Sequence, residues 1–525
     1  MKFKIFTILT ITLSAINATA QNVEDLLKYN FTQQGGTARN LATGGAMASL
    51  GGEFSSLFVN PAGLSFYRTK EFVLTPKINL NKNTSTYRNG VKNINTLESF
   101  NIGASGVVLG SPSFKNNNNE KVNFACGFGI NQTANFNNAF SYSGNNNFSS
   151  YAEKFTEELI NNNITDPNKA VYLFPNSSSL ALNTYLVDPI FSGGRVIGYG
   201  SVANNALGNG LVQTNTVNTY GGMYDISFGA AVNINNKVHV GGSASLVVTN
   251  FERNQTYTEK EALPVLNNSF NSFTLQDNLT TKGAGLNIKA GIIYRPTQKV
   301  RLGFAVHTPT MSTLTDVQNT TLTTDTENYK GIQKQSTSDV LNYQRNILGQ
   351  VVTQNLKYDF NTPWRLMLSG SYVFREIENT KKQRAFITAD IEYLNYKNLR
   401  LRATDREDTN YDSYLKAQKQ EVKKMYAGAF NARIGGELKL NIFMVRAGLA
   451  YYGNPLKDKA NYHVNRLNAS AGLGYRNKGF FIDATYVHSM GKDVDRPYIL
   501  SNRENTFANL KTRVGAAVLT FGLKF

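Results

Sequence analysis

The stretch Tyr224-Asp225-Ile226-Ser227-Phe228-Gly229-Ala230-Ala231-Val232-Asn233-Ile234 alternates between apolar and polar side chains. Successive side chains of a strand point to opposite faces. Tyr224, Ile226, Phe228, Ala230, Val232 and Ile234 therefore share one face, and Asp225, Ser227, Gly229 and Asn233 share the other. A strand of this kind is greasy on one side and wet on the other. A soluble sandwich strand reads the same way, so this segment alone leaves two fold classes open.

Working outward, the pattern recurs. Ala284, Leu286, Ile288, Ala290, Ile292 and Tyr294 alternate with Asn287, Lys289 and Gly291. Ile387, Ala389, Ile391 and Tyr393 alternate with Thr388, Asp390 and Glu392. Phe443, Val445, Ala447, Leu449 and Tyr451 alternate with Met444, Arg446 and Gly448. Many of these runs carry an aromatic residue near one end of the apolar face, where a membrane girdle belongs. Candidate strands begin near Phe72, Phe100, Val122, Tyr224, Val238, Ala284, Val300, Trp364, Ala385, Phe430, Phe443, Leu467, Phe480 and Val514, which makes fourteen.

The links between them sort by parity. Asn235-Asn236-Lys237, Pro296-Thr297-Gln298-Lys299, Leu440-Asn441 and Arg476-Asn477-Lys478 are short. The alternate links 143–221, 251–282, 308–363 and 397–428 are long. Outer-membrane barrels have short periplasmic turns and long external loops; a soluble sandwich has no reason to sort its loops. The chain ends with Leu519, Phe521, Leu523 and Phe525 on one face. Exposed on a soluble protein, that edge would invite aggregation. As a closing barrel strand it has no free edge, and it resembles the C-terminal recognition strand of bacterial outer-membrane barrels, a likeness that implies engagement of the barrel-assembly machinery.

Residues 1–20 read as a secretory signal. Lys2 and Lys4 precede a short apolar run from Ile5 to Leu13, and Ala18-Thr19-Ala20 is a cleavage site. The apolar run is too short to span a bilayer. The 525-residue chain has a mean hydropathy of −0.32 and a formal charge of +18. Bland hydropathy is compatible with a barrel, whose strands average apolar and polar faces. The basic residues are dispersed and many fall in the long Asn-rich links, which favours contact with anionic lipopolysaccharide over nucleic acid; solubility of those long loops is the alternative reading. Outer-membrane lipid is thus an expected partner, and a monomer is the expected state. The one cysteine, Cys126, excludes an internal disulfide and a cysteine-based zinc site.

Catalytic constellations are missing. The histidines His239, His307, His463 and His488 lack metal-ligand spacing. Ser489 follows His488, but strand neighbours point to opposite faces. Neither catalysis nor a cofactor is expected. The polar faces collect Arg301, Arg365, Arg433 and Arg446 with Asp390 and Glu392. Mixed charges there suit salt-bridged lumen walls, and an arginine among them could instead meet a carboxylate ligand.

Before the first strand, small residues dominate Gly35 to Gly52, and Asn60-Pro61-Ala62-Gly63-Leu64 follows. A phosphate loop is rejected because no Gly-Lys-Ser/Thr follows. Small residues suit backbone packed into a confined space. The glycine-rich run and the Asn-Pro-Ala-Gly-Leu motif resemble the start of FadL/TodX family outer-membrane transporters of hydrophobic compounds. That resemblance implies an all-β, 14-stranded antiparallel transmembrane barrel closed by an N-terminal hatch. The organisation implied is signal 1–20, hatch 21–70 and barrel 71–525. Asn60, Pro61, Ala62 and Gly63 then mark the hatch corner, although an ordinary turn explains them too. The implied function is passive uptake of a long-chain fatty acid or aromatic hydrocarbon across the Gram-negative outer membrane. A haem receptor and a non-transporting barrel that serves secretion or assembly are the alternatives. Gly127 and Gly129 are a candidate kink in the third strand.

Overall fold

The computed structural model describes residues 27–30, 35–116, 119–337, 355–374, 384–404, 419–420, 422–457 and 464–525. The signal segment, part of the hatch and His463 lie outside the described residues.

Fourteen antiparallel strands close into a barrel. β1 comprises Lys70–Leu74 and Pro76–Tyr87, β2 Asn93–Ile102 and Ser105–Gly110, and β3 Lys121–Asn135 and Asn138–Asn146. β4 is Leu211–Ile234, β5 Val238–Glu261 and β6 Ser272–Tyr294. β7 comprises Val300–His307 and Met311–Tyr329, β8 Asn355–Asn361 and Arg365–Phe374, and β9 Ala385–Asn395 and Arg400–Ala403. β10 is Gly428–Leu440, β11 Phe443–Tyr452, β12 Arg466–Asn477, β13 Phe480–Asp495 and β14 Ala508–Lys524. Closure joins β14 to β1, with Leu74 opposite Phe521 and Lys77 opposite Val518.

The apolar face of each strand points outward. Phe228 is 58% exposed, Leu286 64% and Leu473 64%. In water such a belt would drive aggregation; in a bilayer it is the lipid-facing surface. The short turns cluster at one end. Between β4 and β5, Asn235 and Asn236 both take positive φ (56° and 55°), the primed-turn geometry that matches strand twist.

The wall is uneven in height. β4, β5 and β6 have 24, 24 and 23 residues, whereas β10, β11 and β12 have 13, 10 and 12. About ten residues cross a bilayer, so the tall strands stand well clear of it. Much of the length expected as loop in 143–221, 251–282 and 308–363 is therefore strand. Over the tall strands sits a cap of short helices, including Ala152–Asn161 and Ser178–Asn183. Its Phe155, Leu159, Phe174, Leu180 and Leu186 pack on Tyr257, Phe273 and Leu275 of the wall. Burying side chains of this size contributes about 1.5–3 kcal/mol each, enough to hold a cap without a disulfide.

Candidate functional site

The segment 35–69 fills the barrel interior. Its backbone polar groups need partners, and lumen-facing side chains supply them. The Ala38 N–H donates to Thr520 Oγ1 at 2.7 Å, and Thr485 Oγ1 donates to the Ala38 carbonyl at 2.7 Å. Ser470 donates to Ala42 at 3.0 Å, Ser243 to Leu57 at 3.0 Å and Asn123 to Ser65 at 2.7 Å. Strands from most of the circumference thus grip one short segment.

Asn60 sits at the junction. Its Oδ1 accepts from the Ala62 N–H at 3.2 Å, and Pro61 opens the short 3-10 helix Pro61–Phe66. Proline's fixed φ suits that first helical position, where its missing N–H goes unneeded. Asn60 Nδ2 donates to the Ala48 carbonyl at 2.6 Å and reaches the Ile292 carbonyl on β6 at 3.4 Å. Gly63 backs onto Ser56, whose Oγ would lie 2.5 Å from a β-carbon placed there. Sequence reasoning missed the facing residues. On β5, Gly241 leaves room for Pro61 and Ala62; a β-carbon there would lie 2.6 Å from the Ala62 nitrogen.

The lumen charges divide by what they touch. Arg301 donates from Nη1 to the Leu50 carbonyl and lies 4.8 Å from the Phe66 ring. Asp390 accepts the Ala48 N–H at 3.2 Å. Arg446 is 1% exposed and pairs with Glu437 and Asp483, both at 2.6 Å. Glu437 also takes a bidentate pair from Arg39 of the hatch, at 2.9 and 3.0 Å. Arg39 was not singled out in the sequence, because its neighbours there are small residues. Arg365, Glu392 and Arg433 are set apart from these. Glu392 accepts from Arg433 and lies 3.7 Å from Arg365, and all three line a small cavity of about 80 Å³.

A larger cavity of about 660 Å³ lies on the other side of the lumen. Its apolar lining includes Leu41 of the hatch, Phe136, Phe251, Leu456, Val487 and Leu510. Lys77 of β1 projects into it. Among the described residues, Lys77 makes no side-chain hydrogen bond or ion pair. No histidine lines this cavity among the described residues. His239 contacts Ser65 at 2.7 Å and stacks on Phe66 at 3.9 Å, while His307 Nε2 contacts the Val59 carbonyl at 2.8 Å. His488 lies near Tyr486, 3.4 Å from its hydroxyl.

Beside the larger cavity the wall comes unzipped. The lower part of β2, Ser105–Gly110, pairs with β3, but among the described residues Asn93–Ile102 pairs with β1 alone. The upper part of β3, Asn138–Asn146, pairs among the described residues with β4 alone and turns into the lumen behind β1. There its free edge is met by side chains. Asn83 donates to the Ala139 carbonyl at 2.7 Å, and Asn95 accepts from the Ser141 N–H at 2.8 Å. Lower down, Gln132 donates to Asn101 at 2.9 Å and Asn135 to Ser99 at 3.3 Å, so side chains and not a backbone ladder bridge the gap among the described residues. The break in β3 falls at Phe136 and Asn137. Gly127 and Gly129, the expected kink, pair continuously with β4. Gly129 instead leaves room for Phe54, whose ring atom would lie 2.6 Å from an added β-carbon.

A closed barrel with an apolar belt and a lumen filled by its own N-terminal segment defines a plugged membrane barrel. No family model matches the sequence, and no curated protein sequence matches it. Solved structures do match. A Pseudomonas aeruginosa FadL homologue aligns at 12% identity and a TM-score of 0.52, over 94% of this chain and 99% of that one. The Ralstonia pickettii toluene transporter TbuX aligns at 13% identity and 0.48, over 94% and 100%. The Pseudomonas putida toluene transporter TodX gives 13% and 0.47, over 94% and 99%. The chain has a FadL-like fold, a conclusion that rests on the first alignment, and it is an outer-membrane barrel.

Proposed function

We propose that this barrel is a channel for passive uptake of hydrophobic small molecules, and that its cargo is a long-chain fatty acid rather than an aromatic hydrocarbon. The observation that carries this reading is the cavity of about 660 Å³, which sets apolar side chains such as Phe136, Phe251 and Leu510 in one mixed wall with the unpaired Lys77. Apolar walls gain free energy by burying an acyl chain, at about 25 cal/mol per Å². A lysine without a counterion in such a site favours an anionic head group, which a plain hydrocarbon lacks. The gap between β2 and β3 adjoins the cavity, since Gln132 and Asn135 belong to both. Cargo leaves through it sideways into the bilayer once the side-chain bonds of Gln132 and Asn135, and above them that of Asn95, part.

The test is uptake of radiolabelled oleate and radiolabelled toluene by cells with and without the gene. Gene-dependent oleate uptake is expected. Equal oleate uptake in the two strains would sink the fatty-acid reading, and gene-dependent toluene uptake alone would reassign the cargo.

A further inference from the structure

The outward face of β1, β13 and β14 carries an array of like charges. Lys82 on β1 stands directly opposite Arg513 on β14. Lys492 on β13 stands directly opposite Lys511 on β14. Arg513 and Lys511 are separated by one residue, so the four cations occupy two neighbouring rows on three adjacent strands. All four are exposed, and none has an ion pair or side-chain hydrogen bond among the described residues. Directly opposed side chains have β-carbons about 5 Å apart, and like charges in that relation destabilise a sheet. One outward acid, Glu98, lies diagonal to Lys82, which leaves most of the positive charge unbalanced. Asp493 and Asp495 of β13 line the cavity instead.

The height of the array says what faces it. All four residues lie toward the long-loop end of their strands, the extracellular end. Immediately below them, on the same outer face, come the exposed Leu80 and Met490, then Ile78 and Tyr486, down to Leu523 and Phe480. This apolar band places the cations at the level of the outer-leaflet head groups. Three strands span about 10 Å, a width that suits a head group bearing more than one phosphate.

We propose that Lys82, Lys492, Lys511 and Arg513 form a binding site for the phosphate groups of an outer-leaflet glycolipid, whose acyl chains lie along the apolar band below. Lysine and arginine give phosphate oxygens charge-assisted hydrogen bonds, and one lipid relieves both opposed like-charge pairs. The site is independent of the lumen and of what passes through it.

Native mass spectrometry of the full chain in mild detergent tests this, with bisphosphorylated lipid A and its dephosphorylated form as probes. One bisphosphorylated lipid per barrel is expected to survive. Retention is expected to fall at least tenfold in the variant Lys82→Gln, Lys492→Gln, Lys511→Gln, Arg513→Gln. Dephosphorylated lipid A should bind the unaltered protein as weakly as that variant binds the phosphorylated form. Equal retention by protein and variant overturns the proposal, and so does equal binding of the two lipids. Displacement by millimolar inorganic phosphate would overturn the lipid assignment in favour of a free-anion site. Heat-modifiable migration reports folding of the variant. Should it not fold, the pair Lys492→Gln, Lys511→Gln removes half the array and is expected to weaken retention at least threefold.

Discussion

Gly291 of β6 holds the space into which Asn60 of the hatch projects: a β-carbon on Gly291 would fall 1.9 Å from Asn60 Oδ1. The clash is with a side chain pinned at both ends, since Oδ1 accepts from Ala62 and Nδ2 donates to Ala48. Gly291→Ala is therefore expected to push the hatch corner off its seat. Overpacking of this kind typically costs about 1–3 kcal/mol. The expected readout is a lower thermal transition together with raised leakage of a small hydrophilic dye through reconstituted protein. A variant as tight and as stable as the parent would show that the corner has slack.

Arg39 ties the hatch to the Glu437–Arg446–Asp483 network. Removing one member of a buried pair leaves its partner poorly satisfied, at a cost of about 3–5 kcal/mol. Here Arg446 still neutralises Glu437, so the lower end, about 3 kcal/mol, is expected for Arg39→Met. The barrel itself should persist, because β10 to β13 keep their ladders. Hydrogen exchange should accelerate in residues 38–66 and stay unchanged in the strands. Uniform acceleration would place Arg39 in the barrel's own stability.

How much of this was legible in the chain depends on where apolar residues face. Within the bilayer the outward positions are apolar, as in Val240, Leu246 and Val248, and alternation reads directly. Above it the sense inverts. Asn250 and Glu252 face outward while Phe251 and Tyr257 are buried inward. The apolar residues change parity between Val248 and Phe251, so a strand that continues unbroken reads as the start of a loop. Asn60 and Pro61 stand out as a motif, whereas Gly241 and Gly291 gain meaning only when the hatch lies against them. Lys77 sits among asparagines in a run that reads as an ordinary polar face. The gap between β2 and β3 has no local signature because it is an absence of pairing, set by side chains such as Asn83 and Asn95 that capture the inturned half of β3.

On the proposed fatty-acid reading, Lys77 separates the two cargo classes. Replacing it with methionine keeps the apolar stem and removes the charge. Uptake of oleate by Lys77→Met is expected to fall about tenfold, the worth of about 1.4 kcal/mol, while uptake of a neutral hydrocarbon of similar length should hold or rise. Arginine at this position is expected to retain oleate uptake. Parallel losses for acid and hydrocarbon would mean that Lys77 shapes the cavity without reading a head group.

The cap is expected to respond to pH through Glu259, which lies on β5 well above the lipid-facing band. Burial pushes its carboxyl up from the usual carboxylate range to about 7, against the lowering effect of its hydrogen bonds. Those bonds come from Ser150, from the Tyr151 N–H at 2.7 Å, from Gln213 at 2.8 Å and from Tyr257 at 2.8 Å. The neutral acid keeps the three bonds to Oε1 and can donate from Oε2 to the Ser150 hydroxyl. A group whose folded pKa is raised binds its proton more tightly in the folded state. Its contribution is fully present below the unfolded value near 4.5 and is lost as pH rises toward 7. Cap packing should thus loosen between about pH 5 and 7, by at most about 3 kcal/mol, and level off above that. Limited proteolysis in 148–209 should quicken across this window while the barrel remains protected. Glu259→Gln mimics the neutral acid and is expected to flatten the profile at the slow, low-pH rate. A pH dependence that persists in Glu259→Gln would assign the titration to another group.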